Sequence, residues 1–301
     1  TQYFPKEGWV EHDPIEIWNV TYSLIIECFK DYPKEKFISI GITNQRETTI
    51  IWDKKTSKPI YNAIVWQCRR TKDICDKLQN DGYSPLIKEK TGLVIDSYFS
   101  GTKIKWIIEN IPSAFRNNKY NRLAFGTVDS WLIWNLTNGN EHVTDYTNAS
   151  RTMIFNINNK KWDRELLSIL NIPYNILPDV KPSVSEFGRT HKKIFNYDIP
   201  ITAIAGDQQA ALYGQKCFNT GDTKCTYGTG CFLMTNTGKN RLDSTSGLIT
   251  TIACDSMGNP AYALEGSVFM GGAIIQWLRD ELKIISSASE SEGIALSIED
   301  T

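Results

Sequence analysis

Apolar and polar positions change their spacing repeatedly along this chain, and the changes mark its elements. Ile17, Leu24, Ile25, Cys28 and Phe29 recur at helical spacing. They predict a helix opening at Asp13-Pro14-Ile15-Glu16, with Asp as cap, Pro in the first turn and Glu three residues beyond the cap. Short apolar runs at 37–43, 48–52 and 60–66 predict strands, with the polar turn Lys54-Lys55-Thr56-Ser57-Lys58 between the last two. Helical patterns at 71–80, 102–109, 129–136 and 164–170 then alternate with short strands such as 123–126, which argues for an α/β layer architecture.

The sharpest change lies near residue 216. A nearly continuous apolar strand at 199–205 ends in Gly206-Asp207-Gln208-Gln209, and a helix is expected at 210–215. Beyond Asn219-Thr220-Gly221-Asp222 the pattern becomes glycine-punctuated strands at 223–227, 231–237, 248–253 and 261–264, then a helix over 268–282. Two domains are expected, 1–216 and 217–301, the second with a thin core. The chain does not begin with Met, which suggests a fragment.

Composition narrows the function classes. Lysine plus arginine number 33 and aspartate plus glutamate 34, so the net charge of -1 gives no reason to expect nucleic acid or an anionic membrane as partner. With 41% hydrophobic and 22% charged residues the chain should fold. No apolar run is long enough for a spanning helix, and no signal peptide is visible. Seven cysteines without a Cys-x-x-Cys pair fit a reducing compartment and assign no metal. The three Asn-x-Ser/Thr sequons, at Asn19, Asn135 and Asn148, are read as coincidence.

Three clusters hold residue types that chemistry needs. Asn44-Gln45-Arg46-Glu47 follows a strand, where open α/β sheets bind ligands; a guanidinium beside a carboxylate can grip adjacent hydroxyls, or be a solvated surface pair. Asp207 ends another buried strand and suits a base taking a proton from a hydroxyl that attacks phosphorus; a helix cap fits the position equally well. Tyr227-Gly228-Thr229-Gly230 can bring amides against phosphate oxygens or close a plain hairpin. Trp66, Tyr98 and Phe232, taken singly, read as core.

Together these stretches resemble a known family. Asn44-Gln45-Arg46-Glu47-Thr48-Thr49, Ala63-Ile64-Val65-Trp66-Gln67-Cys68-Arg69-Arg70, Thr144-Asp145-Tyr146-Thr147-Asn148-Ala149-Ser150-Arg151-Thr152 and Gly206-Asp207-Gln208-Gln209-Ala210-Ala211-Leu212 are similar to the FGGY sugar kinases, in particular those that phosphorylate glycerol. The segment from Tyr98 to Asn110 fits the family's first signature position by position. The resemblance implies an α/β fold of the actin-like ATPase type, two ribonuclease-H-like domains about a central cleft, with the second incomplete. It implies that residues 1–216 bind glycerol and 217–301 face the nucleotide. Arg46, Glu47, Tyr98, Asp207 and Gln208 would hold glycerol, with Trp66 and Phe232 against its carbons and Asp207 as base. Gly228, Thr229 and Gly230 would meet the phosphates of ATP, which brings Mg2+. The location implied is cytoplasmic, with neither nucleic acid nor membrane as partner and homo-oligomerisation left open.

The chain departs from the family in three places. The family's N-terminal phosphate-binding hairpin and its C-terminal adenine pocket have no counterpart here. Arg189-Thr190-His191-Lys192-Lys193-Ile194-Phe195 lacks the glycines of the regulatory anion loop of many bacterial members, so control by a sugar phosphate does not carry over. Two alternatives stand beside glycerol phosphorylation: a kinase of another polyol or sugar, and a non-catalytic polyol-binding module. The fragment alone is expected to be inactive.

Overall fold

A computed structural model describes residues 1–114 and 121–299; the last two residues of the expected second domain lie outside it. The first long helix, Pro14–Asp31, starts where the capping residues place it: the Asp13 carboxylate accepts from the Ile15 amide at 2.8 Å. Glu16 does not complete a capping box. It pairs instead with the amino group of Thr1 at 2.8 Å. The helix turns Ile17, Trp18, Ile25, Ile26 and Phe29 onto the core, whereas Leu24 and Cys28 are exposed. The expected apolar face was therefore rotated by part of a turn.

Strand Pro200–Gly206 organises the first part of the chain. It runs parallel to Ile40–Asn44 and antiparallel to Val184–Arg189. Its register pairs Ile204 with Ile42 and Gly206 with Asn44, so the two central strands end side by side. A second sheet sets Ile50–Asp53 between Lys58–Pro59 and Leu123–Gly126. The turn 54–58 forms as its polar residues predict, with Asp53 accepting from the Lys55 and Thr56 amides. The expected strand at 60–66 is broken, because Ala63–Ile64 leaves this sheet and pairs with Glu11–His12.

Helices Ser100–Asn110 and Arg164–Leu170 pack on one apolar core, and Val128–Leu136 on another with Trp52, Trp131 and Phe187. Helix Ser84–Thr91, which the apolar pattern did not suggest, ends on Gly92 with φ +73°. A Cβ at Gly92 would stand 2.4 Å from the Thr250 carbonyl, so that close approach requires glycine.

Beyond residue 216 four antiparallel strands form one sheet in the order Thr223–Tyr227, Cys231–Gly238, Pro260–Val268, Ile249–Cys254. The core beneath it is small: Leu212, Cys217, Met234, Ala253 and Ala263. Helices Gly272–Asp280 and Ala288–Leu296 follow, and neither contains a fully buried residue. The second of them was not expected. Among the described residues every cysteine is free and no helix is long and apolar enough to cross a membrane. Asn148 is buried and hydrogen-bonded, which agrees with reading its sequon as coincidence.

Candidate active site

The shared register of Asn44 and Gly206 places the residues that follow them together. Arg46 Nε lies 3.3 Å from Asp207 Oδ1 and 3.6 Å from Glu47 Oε1. Asp207 is the first residue of helix Asp207–Gly214, capped by Gly206, and its side chain is 47% exposed. It is the open member of the cluster. Arg46 and Glu47 are each 2% exposed, so the pair is buried and the surface-pair alternative is excluded.

The partner that buries them comes from the far sheet. Glu265 takes both arms of Arg46, Nη1 at 2.6 Å and Nη2 at 2.9 Å, and accepts from Arg151 Nη2 at 3.0 Å. Arg151 Nε donates to Glu47 at 2.6 Å. Arg46 also donates to the Gln209 side chain at 3.2 Å and to the Tyr98 hydroxyl at 3.3 Å, so both of its terminal nitrogens make two hydrogen bonds and Nε faces Asp207. Two guanidiniums and two carboxylates thus leave water as a neutral quartet, which is sustained only where hydrogen bonds are nearly complete. Burial raises the Glu265 carboxyl, but Arg151 and Arg46 outweigh it and hold it down to about 2. Burial raises Glu47, against the pull of the same two arginines. Arg151 Nη1 is buried without a hydrogen-bond partner, and the guanidinium lies over the Phe99 and Tyr98 rings.

Aromatic rings bound the cluster. Trp66 lies 5.6 Å from Tyr98 and 6.3 Å from Phe232 between ring centroids, and Phe269 stands 5.5 Å from Tyr98 and 6.3 Å from Trp66. Gln208 is half-buried because Lys224, itself buried, donates to its side-chain oxygen and to the Thr226 hydroxyl at 2.9 Å. A cavity of about 160 Å³ lies on the Tyr98, Glu265, Ser267 and Phe269 side of the cluster and does not reach Asp207. A larger cavity, about 1070 Å³, lies between helices Ser100–Asn110 and Arg164–Leu170 and contains no candidate residue.

The turn Gly228-Thr229-Gly230 does close a hairpin, pairing Tyr227 with Cys231. It is more than a hairpin. The amides of Gly271 and Gly272 donate to Thr229 and Gly228 carbonyls at 2.7 and 2.8 Å, so the turn lies backbone to backbone against the start of helix Gly272–Asp280. A Cβ at Gly272 would meet the Gly228 oxygen at 2.7 Å, and one at Gly230 the Val268 oxygen at 2.7 Å. Gly228 and Thr229 stay exposed. Among the described residues no three His, Cys, Asp or Glu side chains are grouped to hold a metal. Magnesium that travels with nucleotide phosphates needs only one or two carboxylates, and Asp207 is the exposed carboxylate of this cluster.

The arrangement brings Arg46, Glu47, Tyr98, Asp207, Gln208, Trp66 and Phe232 around one place. Sequence reasoning did not assign Gln209, Arg151, Lys224, Glu265 or Phe269 to it. Glu265, a lone carboxylate inside the apolar strand Pro260–Val268, was the one readable signal of a buried ion pair.

Comparison with known proteins places the chain in a family. Residues 1–214 match the N-terminal domain, and residues 223–300 the C-terminal domain, of the FGGY family of carbohydrate kinases. The chain is 59% identical to a glycerol kinase of Thermoanaerobacter pseudethanolicus and 57% identical to glycerol kinase 1 of Clostridium tetani, covering all of this chain and 61% of each relative. The crystal structure of Plasmodium falciparum glycerol kinase with ADP superposes with a TM-score of 0.91 at 42% identity, covering 100% of this chain and 61% of that one. A xylulose kinase from Lactobacillus acidophilus superposes with a TM-score of 0.86 at 22% identity, covering 99% of this chain and 59% of that one, a likeness of fold alone. The chain thus spans about 61% of the length of the curated relatives it matches. With both domain models matched in order and the fold shared throughout, the chain belongs to the FGGY family of carbohydrate kinases, with their actin-like ATPase fold.

Proposed function

We propose that this chain carries the glycerol site, and one wall of the nucleotide site, of an enzyme that transfers the γ-phosphoryl group of ATP to glycerol. The observation that carries the reading is Asp207: an exposed carboxylate at the end of a buried strand, 3.3 Å from the buried Arg46 guanidinium. The 57–59% identity to glycerol kinases supports the substrate.

A terminal hydroxyl of glycerol held at Asp207 gives its proton to that carboxylate as its oxygen bonds the γ-phosphorus. The bond from phosphorus to the β-phosphate oxygen breaks and ADP leaves. Arg46, locked by Glu265, fixes a positive charge beside the base, and Gln208 and Tyr98 orient the other hydroxyls. Trp66 and Phe232 face the carbons and exclude water. Thr229 offers its hydroxyl to the phosphates from the exposed tip of a turn that Gly228, whose amide donates to the Gly230 carbonyl, and the buried Gly230 shape, and magnesium when bound neutralises phosphate charge. The domain division at 216 and cytoplasmic residence belong to the same reading.

The test is a substrate panel at the full length of the relatives: transfer from Mg-ATP to glycerol, to xylulose and to gluconate. Glycerol should exceed the others in kcat/KM by at least about a hundredfold, because a longer sugar must displace the rings or leave hydroxyls unpaired. Preference for the five-carbon sugar would assign the chain to another branch of the family. Saturable glycerol binding without transfer would favour the binding-module alternative.

A further inference from the structure

Lys103 lies in helix Ser100–Asn110, is fully buried, and faces main-chain carbonyls where a carboxylate partner would be usual. Its Nζ donates to the carbonyl oxygen of Glu47 at 3.1 Å and to that of Tyr98 at 2.7 Å. The Glu47 carbonyl also accepts from the Thr49 hydroxyl at 3.1 Å and the Ser100 hydroxyl at 3.2 Å. Three donors converge on the one residue of the Asn44-to-Glu47 loop whose backbone is left-handed, φ +55°. That conformation is unfavourable for a residue with a Cβ and persists where surrounding contacts over-determine it.

We propose that Lys103 is a positioning residue of the glycerol site: by joining the carbonyls of Glu47 and Tyr98 it fixes the distance between the two segments whose side chains meet substrate. The proposal rests on the glycerol reading above. A buried amine is a costly way to fill space, since methionine has nearly the same length and no charge to desolvate. What methionine cannot do is donate two hydrogen bonds in different directions. Burial depresses the ammonium to about 7, with Glu47, Cys68 and Asp96 opposing that shift and Arg70 adding to it. A neutral amine keeps two N–H groups, enough for both carbonyls, so the bridge survives loss of the proton. The side chains beyond the bridge are already coupled, because Tyr98 accepts from Arg46 at 3.3 Å. A shift of either segment is therefore felt at the guanidinium.

The experiment compares wild type, Lys103→Met and Lys103→Gln at full length, reading KM for glycerol, KM for Mg-ATP, kcat and Tm. Lys103→Met should raise the glycerol KM at least tenfold and leave the Mg-ATP KM within twofold, with Tm unchanged or higher. Lys103→Gln, which keeps one amide donor group, should fall between. Equal glycerol KM in all three proteins, a loss shared by both substrates, or failure of both variants to fold would make Lys103 a structural residue and overturn the proposal. If the wild type itself transfers nothing to glycerol, the glycerol reading fails and takes this proposal with it.

Discussion

Asp207 and Arg46 stand 3.3 Å apart, yet they answer substitution differently. Arg46 has Glu265, Gln209, Tyr98 and Asp207 around its guanidinium. Truncating it breaks a buried ion pair and leaves Glu265 with Arg151 as its remaining arginine partner, a cost of up to about 3–5 kcal/mol in fold stability that would obscure any effect on binding. Asp207 is half in water and bonds only its neighbour Gln208 besides Arg46, so it is the cleaner probe. Asp207→Asn removes the proton acceptor and keeps the shape. At full length it should lower kcat at least about a hundredfold with Tm within a few degrees of wild type. Turnover near that of wild type, followed by a coupled ADP assay, would remove Asp207 from the base role. Both residues were legible in the sequence because each follows a short apolar strand. Arg151 and Glu265 were not, because their meeting depends on how a distant sheet packs, and no local spacing encodes that.

A buried polar network ties these strand ends to the elements beneath them. Gly206 donates its amide to the Thr147 hydroxyl at 2.8 Å, and Thr147 donates to Asp145, which caps helix Tyr146–Ala149. Asn148 bonds both Asp145 and Asn44, and Asn44 reaches Asp129 at 3.4 Å. Asp129 accepts from the Thr127 and Thr144 hydroxyls. Burial pushes its carboxyl up to about 6, against the pull of the two hydroxyls and with help from Asp145. The folded protein therefore holds this proton more tightly than the unfolded chain, whose aspartate titrates near 3.8. The protonated group's stabilising contribution is complete below about pH 4 and is lost as pH rises through about 6, at most roughly 3 kcal/mol. Asp129→Asn should remove that dependence, because an amide is neutral throughout and the Thr144 hydroxyl can turn to accept from it. The Tm of the variant relative to wild type should rise between pH 4 and pH 7; a difference that stays flat would mean Asp129 does not titrate in this range. At this scale the sequence was informative about where elements lie and weaker about how they face. The strand Thr223–Tyr227 falls where its pattern places it, whereas the first helix turned Leu24 and Cys28 outward and only Ala63–Ile64 of 60–66 became a strand, paired with Glu11–His12. Helix phase and strand partner are chosen by the neighbouring layer, which one-dimensional periodicity does not contain.

Across the molecule the two parts of the chain contribute unequally to the proposed reaction. Every residue assigned to glycerol lies between Arg46 and Phe232. The first part holds two large apolar cores, while the second rests on a small one and exposes Phe269, Met270, Ile274, Trp277 and Leu296. For the nucleotide, the described residues offer the Gly228–Gly230 turn and the adjoining helix start, which in the proposed reading form one wall of the phosphate site. Phosphoryl transfer needs charge stabilisation around the whole moving group. The account therefore separates binding from turnover in this 301-residue chain. The direct measurement is a calorimetric titration of the purified chain with glycerol, followed by an assay for ADP release from Mg-ATP in the same sample. The account predicts saturable glycerol binding that Asp207→Asn weakens by no more than about tenfold, with no glycerol-dependent ADP release above background. Absence of saturable glycerol binding by the folded chain would contradict a glycerol site built from these residues, and robust glycerol-dependent ADP release would contradict the division of the phosphate site.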